Sequence, residues 1–190
     1  MPPVFIERKI LLRLGYRKGP ASASPAVRGI VAEETARAVA LVRPAIAAVV
    51  LEKEELPAHP VFRGAERAAL CVSTIGPELE AAAARLVEEG EMLRGLVLDW
   101  LGSEAVVHVS RQAADWLAGE GRNAGLRPSK MFSPGDKGWD VSGQALIFAA
   151  VPASAIGVRL SESFMMTPRK SFTFRINFYK DGPSPDGKRS

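Results

Sequence analysis

Two stretches and one isolated acid carry residue types that could hold a ligand in this 190-residue chain. The first stretch, Met131–Trp139, reads MFSPGDKGW. Pro134 presets one backbone dihedral and Gly135 accepts the unusual next one, which is turn chemistry. Trp139 either anchors that turn to the core or walls a ligand site. The second stretch, Ser161-Glu162-Ser163-Phe164, sets a carboxylate between two hydroxyls, and Glu162 is either a solvent-facing acid or a ligand contact. The isolated acid is Asp99, which sits among apolar residues of a helical pattern. An unpaired carboxylate there is costly. Asp99 therefore faces solvent, pairs with a neighbouring helix, or meets a polar or cationic ligand.

Other chemistries find little support. Cys71 is the single cysteine, which rules out an intrachain disulfide and fits a reducing cytosol. It lies in the apolar run Arg67–Ile75 and reads as a small core residue, since no histidine stands near it in sequence to activate it. His59 and His108 are the only histidines, and neither has a zinc-ligand spacing. His59 reads as a surface loop residue and His108 as a structural one. The formal charge of +4 and pI of about 9.5 make the chain mildly basic, without the basic-aromatic cluster of a nucleic-acid surface. Hydrophobic content of 47% against 24% charged argues for a globular chain. No apolar run reaches membrane-spanning length, and residues 1–15 lack the order of a signal peptide, so a soluble cytoplasmic protein is expected. No GxGxxG, Walker sequence, nucleophile elbow or internal repeat is present.

The elements that must position these residues follow from periodicity. Apolar spacing predicts a helix over 4–15 stopped by Gly15, then a helix over 27–42. A further helix is expected from Pro44 to Leu56, where Pro57 begins a break. Residues 67–75 suit a buried strand, and 78–89 a helix. Met92, Leu93, Leu96 and Val97 suggest a helix over 91–101 interrupted at Gly102-Ser103. A second helix over 105–118 would then turn Val106, Val109, Ala113 and Trp116 inward. Residues 119–138 read as an exposed connection, 141–150 as a short helix and 158–160 as a strand. Residues 170–178 alternate, with Phe172, Phe174, Ile176 and Phe178 on one face of a half-buried antiparallel strand. Residues 181–190 read as a disordered tail. Helices first, then strands mixed with helices, predict an α+β domain with an antiparallel sheet and flanking helices.

With these elements placed, the chain resembles the activation domain of cobalamin-dependent methionine synthase and its small stand-alone relatives. The likeness spans about residues 8–178 and rests on the order of several short stretches. They are Leu14-Gly15-Tyr16-Arg17, Thr74-Ile75-Gly76 with Leu79-Glu80, Leu98-Asp99 with Gly102-Ser103, and Phe132-Ser133-Pro134-Gly135 with Trp139. Ile156-Gly157-Val158, Leu160–Met166 and Pro168-Arg169-Lys170-Ser171 complete the set.

The resemblance implies one activation-domain-like unit over 1–180, with an N-terminal helical subregion within 1–60. It implies a protein that binds S-adenosylmethionine and presents it to a corrinoid carried on a partner protein. There, after one-electron reduction of cob(II)alamin by a separate electron donor, methyl transfer restores methylcobalamin. By the same resemblance Ser133, Pro134, Gly135, Trp139, Glu162 and Ser163 border the ligand. Asp99 or Glu162 would meet its ammonium and sulfonium, and Arg127, Arg169, Lys170 or backbone amides its carboxylate. Relatives usually place arginine before the aromatic-Ser-Pro-Gly unit and tyrosine after it, where this chain has Met131 and Asp136. Two readings follow: an accessory protein for a corrinoid methyltransferase system, or a non-enzymatic binding module that keeps the fold without S-adenosylmethionine binding.

Overall fold

The computed structural model describes residues 7–18 and 20–180, so the expected tail at 181–190 lies outside the described residues. The chain passes through α1 (Glu7–Arg13), α2 (Pro25–Leu41), β1 (Ala45–Glu52), β2 (Arg67–Thr74), α3 (Glu78–Glu88) and α4 (Met92–Asn123). It continues through β3 (Arg127–Pro128), α5 (Gly143–Ala150), β4 (Arg159–Leu160), β5 (Met166–Thr167) and β6 (Ser171–Tyr179). The α+β expectation holds: β1-β2-β6-β3 form a four-stranded antiparallel sheet, and β4-β5 a small hairpin.

Alternation on β2 and β6 divides the core into two layers around that sheet. Ala69 and Cys71 of β2, with Phe174, Ile176 and Phe178 of β6, pack against Ala113, Ala114 and Leu117 of α4. The intervening Ala68, Leu70 and Val72 face the other way, onto Trp139, Ile147, Val151 and Val158. A third cluster joins α1, α2, α3 and the first half of α4 through residues such as Ile10, Val31, Leu79 and Leu98. Arg94 of α4 ties this layer to α2, donating to Glu34 at 2.8 Å and to Glu33 at 2.6 Å.

Four expectations need correction. Pro44–Leu56 contains a strand, not a helix: Ala45–Glu52 pairs along its whole length with β2, from Ala45 opposite Thr74 to Glu52 opposite Arg67. Its alanines allow either form, and the β-branched Ile46, Val49 and Val50 fit the pleated surface. Residues 91–101 and 105–118 are one continuous helix that runs on to Asn123. At 32 residues it is about 48 Å long. Three of its glycines mark close approach and do not break it: a side chain at Gly95 would meet Val87, at Gly102 Leu79, and at Gly121 the Phe178 ring. Trp116 on this helix is 64% exposed and does not turn inward, although Val106, Val109 and Ala113 do. Finally, β6 is buried on both faces: Thr173, Arg175 and Asn177 are buried, as are Phe174 and Ile176 between them.

Candidate ligand site at the Trp139 loop

The loop Met131–Trp139 leaves β3 and is pinned to the sheet at once, since Phe132 and Arg175 exchange both main-chain hydrogen bonds at 2.8 and 3.1 Å. Met131 packs into the α4-side cluster, whereas Phe132 packs into the layer on the opposite face. The loop thus crosses the β3 edge of the sheet, and 119–138 is not the wholly exposed connection that its composition suggests. Beyond that edge Ser133-Pro134-Gly135-Asp136 forms the expected turn. Gly135 takes φ of +98°, a value that favours glycine. Asp136 closes the turn twice: its carboxylate accepts the Ser133 N–H at 2.8 Å and its own N–H donates to Ser133 O at 3.0 Å. Gly135 N–H then donates to Trp139 O and Trp139 N–H to Asp136 O, at 2.8 and 2.9 Å.

This geometry drives the Trp139 ring inward to 2% exposure. It stacks on Phe132 at 5.8 Å between centroids and 13° between planes, and the Arg175 guanidinium lies 4.9 Å over the far side of Phe132. The layered order is cation, phenyl, indole. His59 is 6.3 Å from the indole and accepts the Val61 N–H through Nδ1, so it is a half-buried packing residue and not a simple surface one. The indole Nε1–H of Trp139 is buried and unpartnered, as are Gln144 Oε1 at the start of α5, Asn177 Oδ1 on β6 and Arg127 Nη2 on β3. Buried polar atoms are rarely left unpaired, and most of the exceptions meet water or a ligand.

Outside the loop lies an open cleft of about 480 Å³ lined by Gly135, Asp136, Gly138, Trp139, Asp140 and Val141. Two carboxylates, Asp136 and Asp140, stand on its rim. Hydrogen bonds from the Ser142 side chain and then its N–H hold the Asp140 carboxyl below its ordinary range. The rim therefore favours a cationic group, with the buried Trp139 behind it. Sequence reading missed Asp140 and Arg175. Asp140 follows Trp139 directly, but nothing in its spacing sets it apart, and Arg175 was hidden on the strand face expected to meet solvent.

The remaining site residues are distributed differently. Glu162 and Ser163 lie in the exposed turn joining β4 to β5, where Ser161 and Ser163 hydroxyls are 3.0 Å apart and Ser161 Oγ accepts the Met165 N–H at 3.0 Å. The Glu162 carboxylate has no hydrogen bond or ion pair among the described residues. Arg127 stacks over Tyr179 at 5.2 Å. Asp99 belongs to the helix layer on the far side of the sheet and is joined to Lys170 at 2.8 Å. Lys170 also donates to Ser103 at 3.0 Å, while its main-chain N–H reaches Glu80 at 3.2 Å. Thr74 and Ser171 close the same corner at 3.0 Å. Three of the groups of short stretches behind the resemblance, Thr74–Gly76 with Leu79-Glu80, Leu98-Asp99 with Gly102-Ser103, and Pro168–Ser171, thus meet at one corner, where they join α3, α4, β2 and β6.

No family model matches the chain, and no curated protein matches it. Among solved structures, the crystal structure of the MetH reactivation domain bound to AdoHcy is similar, with a TM-score of 0.56 and 14% sequence identity. The likeness covers 81% of this chain and 66% of that one, so this chain spans just under two thirds of that length. At this identity the likeness establishes a shared fold: helices flanking an antiparallel sheet, in the arrangement of a MetH reactivation domain.

Proposed function

We propose that this chain is an accessory protein for a corrinoid-dependent methyltransferase. It would bind S-adenosylmethionine at the Trp139 cleft for reductive methylation of cob(II)alamin carried by a partner protein. The observation that carries this reading is the fold shared with a domain crystallised with AdoHcy. The cleft is compatible with such a ligand. Asp136 and Asp140 suit its ammonium and sulfonium, Trp139 backs the cleft from the core, and Arg127 on β3 would supply the donor for its carboxylate. Asp99 and Lys170 neutralise each other, so the cationic half of the ligand falls to the rim acids. Glu162 remains the outer acid on the neighbouring hairpin, beside Ser163. Bound S-adenosylmethionine supplies the transferable methyl group; the chain's own residues orient it, and a corrinoid protein and an electron donor act as partners.

A second reading, a binding module that keeps the fold without the cosubstrate, is favoured by two side chains. Met131 is absorbed in the α4-side cluster, and the Asp136 carboxylate is partly committed to its own turn. Calorimetric titration with S-adenosylmethionine and S-adenosylhomocysteine, with ATP as comparison, separates the two. Saturable heat selective for the adenosyl amino acids supports the first reading. Absence of heat and of any thermal shift, with retained docking to a corrinoid protein, selects the second.

A further inference from the structure

Strand β1 is at the edge of the sheet, and its outer main-chain groups have no backbone partner among the described residues. Natural edges are usually guarded by proline, inward charge or a bulge. The stretch Ala45–Leu51 has none of these and pairs with β2 in unbroken register. Its alternation is also unusual in what it exposes. Ala47, Val49 and Leu51 turn into the α5-side layer, while Ile46, Ala48 and Val50 form the outer face, with Ile46 47% and Val50 51% exposed. Beside that face runs a groove of about 350 Å³ lined by Val50, Leu117, Glu120 and Phe178 among others. Trp116, one helical turn before Glu120, stands 64% exposed on the same flank of α4.

We propose that β1 pairs antiparallel with β1 of a second copy, joining two sheets across a two-fold axis perpendicular to them. The strand is complementary to itself under that operation. Arg43 precedes it, Glu52 ends it, and Glu54 and Glu55 follow beyond Lys53, so reversal brings the basic end of one copy toward the net acidic end of the other. With Ala48 on the axis, Ile46 of one copy lies across from Val50 of the other, and the outer apolar faces merge on one side. Both Trp116 side chains then flank the seam. An unrelated peptide strand would gain the main-chain bonds but not this reciprocal matching of apolar and charged positions.

The test is sedimentation of the full chain over a wide concentration range, with two variants. Wild type is expected to dimerise, and Val50→Lys to weaken the dimer at least about tenfold while the two chains melt alike at concentrations low enough for both to be monomeric. Ala48→Cys is expected to form an intermolecular disulfide on mild oxidation, since Cys71 is fully buried and does not compete. A chain that stays monomeric at every concentration overturns the proposal. So does a dimer that is indifferent to Val50→Lys and gives no Ala48→Cys crosslink, because that dimer uses another face.

Discussion

Cys71 shows how far a single residue's chemistry is fixed by its place. Its thiol sits in β2 against α4, fully buried, and burial pushes its pKa from 9.0 up to about 12. A thiol held neutral in this way is a core group and not a nucleophile, as the absence of a local activating histidine implied. The sign of the pH effect follows. The folded value lies above the unfolded one, so the contribution of Cys71 to stability is complete below pH 9.0 and is lost as pH rises toward 12. Urea unfolding across that window should show wild type losing stability more steeply than Cys71→Ala. Parallel pH profiles would contradict the burial argument. Asp136 teaches a different lesson at the same scale. Read as a loss of tyrosine it weakened the site, yet in place it closes the Ser133–Asp136 turn and leaves a carboxylate on the cleft rim.

At the scale of elements, what was legible in the sequence was whatever a local period could decide. The buried strand at 67–75, the helices at 27–42, 78–89 and 141–150 and the alternation before Phe178 all follow from side-chain spacing. The misses came where tertiary contact overrides local preference. Alanine-rich β1 becomes a strand because β2 offers a full ladder, and β6 is buried on both faces because α5 and the Trp139 loop cover the polar side. Gly102 looked like a break in α4 but, like Gly95 and Gly121, is a point where another side chain touches the helix. Two substitutions on this helix should therefore have opposite signs. Gly121→Ala drives a methyl into the Phe178 ring and should cost about 1–3 kcal/mol despite better helix propensity. Gly119→Ala meets only the tip of Arg122 at 3.9 Å and should stabilise by about 0.5–1 kcal/mol. Denaturant midpoints of the two variants test this, and a shared sign would contradict the close-approach account.

For the whole molecule, the sheet divides the labour. The corner built from Thr74, Glu80, Asp99, Ser103, Lys170 and Ser171 ties the helix layer to the strands, and three of the seven groups of stretches behind the resemblance serve that joint. The opposite face carries the Trp139 cleft, whose acids Asp136 and Asp140 come from the loop itself, while the unpaired buried polar atoms of that layer come from β3, the loop, α5 and β6 and could not be assembled from sequence spacing. Ligand binding at that cleft is the central claim. Trp139 is one of three tryptophans, and its indole N–H is the buried, unpartnered one. The most direct measurement is therefore the indole region of a proton–nitrogen NMR spectrum, assigned with Trp→Phe variants, during addition of S-adenosylhomocysteine. The account predicts a saturable shift of the Trp139 indole signal, with the exposed Trp116 signal unmoved. A Trp139 signal that stays fixed at saturating ligand, or a shift confined to Trp116, would contradict it.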